Sequence, residues 1–106
     1  MQVHINPGTA AHVSKALSDF LQEELGKVEK RFGDSVTRLE AYYADVNGPK
    51  GGADNKQCRL EARPKGMDPL TAEARSESAY DATKEAVDRL EKVLDKHFGR
   101  QEAARH

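Results

Sequence analysis

The side chains best suited to chemistry in this chain are four histidines, one cysteine and 18 carboxylates. His4, His12, His97 and His106 stand at no ligand spacing from one another or from Cys58. That argues against a zinc site, whose donors are usually held at short fixed intervals, and no cofactor is expected. No serine or cysteine sits in a nucleophile context, and no glycine-rich turn leads from a strand into a helix. Residues 47–56, NGPKGGADNK, are rich in glycine but miss the G-x-x-x-x-G-K-[ST] spacing. They also join two strand-like segments instead of opening a helix, so they read as a flexible connection without a nucleotide. Most carboxylates fall at helical spacing beside bases. Glu85 precedes Arg89 by four and Asp88 precedes Lys92 by four, the favourable order for pairs on a helix surface. No catalytic pair stands out, and the reading is that the protein is not an enzyme and takes no small-molecule substrate.

Segregated charge is the stronger signal. On a helical wheel Arg89, Lys92, Lys96 and Arg100 form one narrow stripe opposite the apolar stripe. Asp81, Asp88, Glu91 and Asp95 lie mainly to one side of it, with Glu85 intruding near its start. Lys27, Lys30 and Arg31 form a second cluster at the end of an earlier helical segment. Bases near helix ends complement the dipole and paired charges solvate a helix, and on spacing alone that bland account is slightly favoured. The functional account is a groove between two helices that takes a phosphate backbone.

The elements that must position these residues follow from hydrophobic period. Residues 57–63 alternate, with Cys58, Leu60 and Ala62 opposite Gln57, Arg59, Glu61 and Arg63, the period of a half-buried strand. Cys58 thereby reads as a small core residue. Pro64, Lys65 and Gly66 supply a turn in which glycine accepts positive φ. Residues 70–76 alternate again, and residues 2–6 and 36–45 read as two further strands. Val13, Leu17, Phe20, Leu21, Leu25, Val28 and Phe32 make the apolar stripe of a first helix. Thr9 or Ser14 is its expected cap, and Gly33 its expected left-handed stop. Tyr80, Thr83, Val87, Leu90, Leu94 and Phe98 form the stripe of a last helix from Ala79 to about Phe98, with Gly99 as its stop. The order is β-α-β-β-β-α, an α+β fold with a four-stranded sheet and two helices packed on one face. The other face carries Arg38, Glu40, Tyr42, Arg59, Glu61, Arg63, Thr71, Glu73 and Arg75, read as a solvated surface of cross-strand ion pairs.

A chain of 106 residues supports one domain, assigned to residues 1–100, with 101–106 as a short fraying tail. Its formal net charge of −1 provides no global field toward nucleic acid or an anionic membrane, so any such binding must come from local clusters. The lone cysteine, with no leader-like N-terminus and no stretch of membrane-spanning length, gives the expectation of a cytoplasmic protein with no membrane partner.

The element order, together with CRLEARPKG, LTAEARSES and AYDATKEAVDRLEKVLDKH, resembles the ribosome hibernation promoting factors and ribosome-associated translation inhibitors of bacteria. The resemblance spans Gln2 to about Arg100 and is a pattern over length. It implies a stationary-phase or stress factor that sits on the small ribosomal subunit in the mRNA and tRNA channel. There it inhibits translation by steric occlusion. The sequence leaves the oligomeric state open, and a monomer is the expected acting form. The resemblance further implies contact with ribosomal RNA by Lys27 and Lys30 of the first helix and Arg89, Lys92 and Lys96 of the last, and Arg31 and Arg100 join the expected site as members of the same two basic clusters. Long members carry a second domain that pairs ribosomes. The end of the chain at His106 gives the expectation of the short, single-domain form without that activity. A double-stranded-RNA-binding module shares the packing, but usually has a lysine cluster where this chain has Ser78-Ala79-Tyr80-Asp81. The alternative that near-neutral charge favours is a divergent protein-interaction domain of the same fold with little RNA affinity.

Overall fold

The computed structural model describes residues 1–7, 13–45 and 56–104, with side chains as far as residue 99. Its elements are β1 (Gln2–Pro7), α1 (Lys15–Phe32), β2 (Val36–Asp45), β3 (Lys56–Pro64), β4 (Leu70–Ser76) and α2 (Ala79–Ala104). The strands form one sheet in the order β1-β2-β3-β4. β1 and β2 are parallel, joined through α1, while β2–β3 and β3–β4 are antiparallel. This is the expected α+β architecture.

The register aligns the apolar positions into rows across the sheet. Leu39 pairs with Ala62 and that with Leu70, Ala41 with Leu60 and Ala72, and Tyr43 with Cys58 and Ala74. The helices cover these rows with Leu17, Leu21, Leu25, Val28 and Phe32 from α1 and Ala82, Ala86, Val87, Leu90 and Leu94 from α2. Alanine on β4 and on the facing helix lets α2 lie close to the sheet. Thr83 is also fully buried in this layer. Its hydroxyl donates to the Ala79 carbonyl at 2.7 Å, so the Tyr43 hydroxyl, 2.6 Å away, must donate to Thr83.

Topology also orients the helices. Each follows a strand of the same direction, since β3 runs against both β2 and β4, so α1 and α2 lie parallel. Their contacts advance together: Phe20 meets Tyr80 edge-on, and Phe32 stacks on Phe98. The basic last turn of α1 therefore shares an end with the C-terminal half of α2.

The termini of the elements correct several expectations. Ser14 caps α1, accepting from the Leu17 N–H at 3.1 Å; Thr9 lies outside the described residues. Gly33 is right-handed, with φ −57°, not left-handed. What demands glycine there is space, because a Cβ would stand 2.5 Å from the Glu29 carbonyl oxygen. Gly66 does take positive φ, at 70°, and the Met67 N–H closes the turn on the Pro64 carbonyl. Gly99 does not stop α2, which continues to Ala104. One glycine disfavours a helix by only about 1 kcal/mol, and Arg100, Gln101, Glu102, Ala103 and Ala104 are good helix formers. The expected connection begins to give way to β3 at Lys56, which reaches across to Asp45 at 2.8 Å; residues 47–55 lie outside the described residues.

The open sheet face differs from a lattice of cross-strand ion pairs. The register that aligns the core sets Arg38 opposite Arg63 and Glu40 opposite Glu61. Like charges facing each other are unfavourable, and each arginine turns along its own strand, Arg38 to Glu40 and Arg63 to Glu61. Glu40 is 4% exposed. The Asn6 amide at 2.9 Å is the main influence that lowers its pKa, with Arg38 assisting against the opposing effect of desolvation.

Two measurements check this description. Leu90→Ala should destabilise the protein by about 2–5 kcal/mol, read as a lowered denaturation midpoint; an unchanged midpoint would mean the helix phase is wrong. Glu40→Gln should be less stable than the parent at neutral pH. Because the folded-state pKa of Glu40 lies below its usual 4.5, that difference should persist above 4.5 and vanish as pH falls through the lowered value. A denaturation series in pH reads it directly.

Candidate nucleic-acid interface

Seven bases were singled out by sequence, and the fold distributes them over different surfaces. Lys27 and Arg31 lie on the flank of α1 that faces α2. Lys27 donates to Asp88 at 2.6 Å, and that hydrogen bond raises the lysine pKa, aided by the charges of Asp88, Glu24 and Glu91. Arg31 forks onto both carboxylate oxygens of Asp95, lies 3.9 Å from Glu91, and packs over the Phe32 ring. The seam between the helices is thus a ladder of ion pairs, as the account favoured on spacing alone had it, and the α1–α2 seam is not itself a basic groove. The acidic stripe of α2 faces α1, and the two basic members of α1 on that side are engaged by it.

Arg89 is on the opposite flank of α2, toward β4. It donates to the Glu73 carbonyl at 2.7 Å and to Glu85 at 2.5 Å. Both contacts tie the helix to itself and to the sheet. Lys30, Lys92 and Lys96 are exposed and make no ion pair among the described residues. Lys30 points away from the sheet on α1, while Lys92 and Lys96 follow the outer and β4-facing flank of α2. All three lie in the C-terminal halves of their helices, which the parallel arrangement brings to one end of the domain. Arg100 continues the α2 stripe along the backbone; its side chain lies outside the described ones.

Sequence inspection did not pair Lys27 with Asp88 or Arg31 with Asp95. The acidic stripe was visible, but its partner depended on which flank of α2 met α1. Lys84 was also missed. The helical phase places it on the α1-facing flank, exposed and without an ion pair among the described residues. The relation of Arg59 to the Tyr42 ring, with the guanidinium 4.6 Å from its centroid, was a third contact that residue types alone did not signal.

The cysteine singled out from the sequence lies in the core. Cys58 is fully buried, and burial pushes its thiol pKa up to about 11. Burial likewise raises the neighbouring Tyr43 phenol. Among the described residues no three histidine, cysteine, aspartate or glutamate side chains gather as a metal cluster, and no helix is long and apolar enough to cross a membrane.

A family model described as Sigma 54 modulation protein / S30EA ribosomal protein matches residues 8–102. The chain belongs to that family. The S30EA family is one of ribosome-associated factors, not enzymes, in agreement with the non-enzymatic reading and with the resemblance seen in the sequence. No curated protein sequence matches the chain. Two solved structures share the S30EA member's fold at 18% identity. A ribosomal subunit interface protein from Coxiella burnetii aligns with a TM-score of 0.76, covering 93% of this chain and 99% of that one. The N-terminal domain of Thermus thermophilus Protein Y aligns with a TM-score of 0.72, covering 92% and 99%.

The buried thiol provides a check on this assignment of roles. At neutral pH the native Cys58 thiol should react with an aromatic disulfide reagent only as fast as the protein unfolds. Rapid labelling of the folded protein would contradict its placement in the core.

Proposed function

We propose that this protein binds the small ribosomal subunit in its mRNA and tRNA channel and inhibits translation by occupying that space, as a hibernation or stress factor. Membership of a ribosome-associated family supports the partner. The observation that carries the site is that Lys30, Lys92 and Lys96 are exposed and make no ion pair among the described residues, while Lys27, Arg31 and Arg89 are engaged within the fold. On this reading the three lysines make the direct contacts to ribosomal RNA phosphates, with Arg100 extending their line. Lys27, Arg31 and Arg89 hold the two helices in the arrangement that presents them. Phosphate contacts set position and carry no sequence information, which suits a factor that works by occlusion and performs no reaction. The protein acts as a monomer in the cytoplasm.

The near-neutral total charge and the neutralised seam favour a second reading, a protein-interaction domain with little RNA affinity. Salt separates the two. Three lysine–phosphate contacts predict that log affinity for small subunits falls against log salt with a slope of about −2 to −3. Lys92→Glu combined with Lys96→Glu should flatten that slope by about 2 and sharply reduce co-sedimentation, whereas Arg89→Ala should change it by less than about 1. Absence of binding at low salt, or a double variant that sediments like the parent, would transfer the assignment to the second reading.

A further inference from the structure

The open face of the sheet contains one arrangement that neither the core nor the helical surface explains. Its three carboxylates are accounted for. Glu40 accepts from Asn6 and Arg38, Glu61 pairs with Arg63 at 2.7 Å, and Glu73 accepts from Gln57 at 2.9 Å. Two of the four arginines are therefore engaged, and Arg59 and Arg75 make no ion pair among the described residues. Arg59 stands directly opposite Glu73 in the β3–β4 register, yet its guanidinium lies over the Tyr42 ring of β2, 4.6 Å from the centroid. A carboxylate already held at cross-strand distance does not draw it away from the ring.

That geometry has a chemical consequence. Arg59 is exposed with its guanidinium over the Tyr42 ring, so the pair offers a planar cation and its N–H donors to a partner at the surface. Unstacked nucleobases are recognised by stacking on aromatic rings or arginine planes. Every base has such a face, so the contact tolerates any sequence. Arg75 lies on the same face opposite Gln57, diagonal to Arg59, within reach of the phosphate next to a base so placed.

We propose that the Tyr42–Arg59 cation–π pair on the open sheet face is a binding site for an unpaired base of single-stranded RNA, with Arg75 taking an adjacent phosphate. An acidic peptide is the less favoured occupant, since Arg59 passes over the carboxylate opposite it. The choice of RNA as partner rests on the ribosomal reading above. The site itself is separate from the helical lysines, on the other side of the sheet, so a bound strand would contact the domain at two faces.

The test is fluorescence anisotropy of the full chain with a labelled single-stranded oligoadenylate of about eight nucleotides, at low salt. Arg59→Lys keeps the charge and loses the plane. It should weaken binding about tenfold with no change in denaturation midpoint, and Tyr42→Ala should weaken it at least as much. Oligoadenylate should bind more tightly than oligouridylate because the purine stacks better. Three results overturn the proposal: no oligonucleotide binding, equal binding by Arg59→Lys and the parent, or a loss confined to the Lys92→Glu and Lys96→Glu variant. Oligoglutamate binding in place of RNA overturns it as well, in favour of an acidic peptide. Ribosome co-sedimentation of the parent protein tests the ribosomal assignment. Its failure with oligonucleotide binding intact rejects the ribosomal assignment and leaves the base site standing, and the converse rejects the base site only.

Discussion

Deep between the sheet and α2, two hydroxyls meet in a layer that is otherwise apolar. Tyr43 donates to Thr83, and Thr83 donates to a carbonyl one turn back in its own helix. Leaving a buried hydroxyl without a partner costs about 1–3 kcal/mol, so this pair selects one rotation of α2 about its axis. Hydrophobic burial alone tolerates some rolling of a broad apolar stripe; the hydrogen-bonded pair does not. From that rotation follow the direction of the acidic stripe toward α1, the reach of Arg89 onto β4, and the outward placement of Lys92 and Lys96.

The seam between the helices shows how a protein of near-zero net charge can still present positive groups. Acids that look as if they dilute the basic stripe are turned sideways, against Lys27 and Arg31. They hold two helices of like polarity side by side, where the parallel dipoles repel. What remains exposed at the C-terminal halves is enriched in lysine. Exposed ion pairs of this kind contribute little to stability, and their effect is on orientation.

Much of the fold was legible because period and residue size are local properties. The alternation through Cys58, Leu60 and Ala62, and the stripe through Val87, Leu90 and Leu94, each identify a face with no knowledge of its neighbour. The glycines were less legible. Glycine permits several backbone conformations, so its presence cannot say which is used: Gly66 is left-handed, Gly33 right-handed and sterically confined, and Gly99 lies within a helix. Pairing of charges was the least legible. A wheel shows the stripes of one helix, whereas the seam needs the relative direction of two, and the open face needs a register set by core residues on the other side of the sheet. The candidate bases were therefore found as types, while the flank on which each one lies was not legible.

Arg89 has a consequence beyond the helix that carries it. β4 is an edge strand, and a row of unpaired backbone groups invites another chain to add itself as a fifth strand. The bond from Arg89 to the Glu73 carbonyl lies near the middle of that strand and places a charged side chain where an incoming backbone would have to pair. The β4 edge of the sheet is thereby obstructed at its centre, and a fifth strand could pair there only by displacing Arg89.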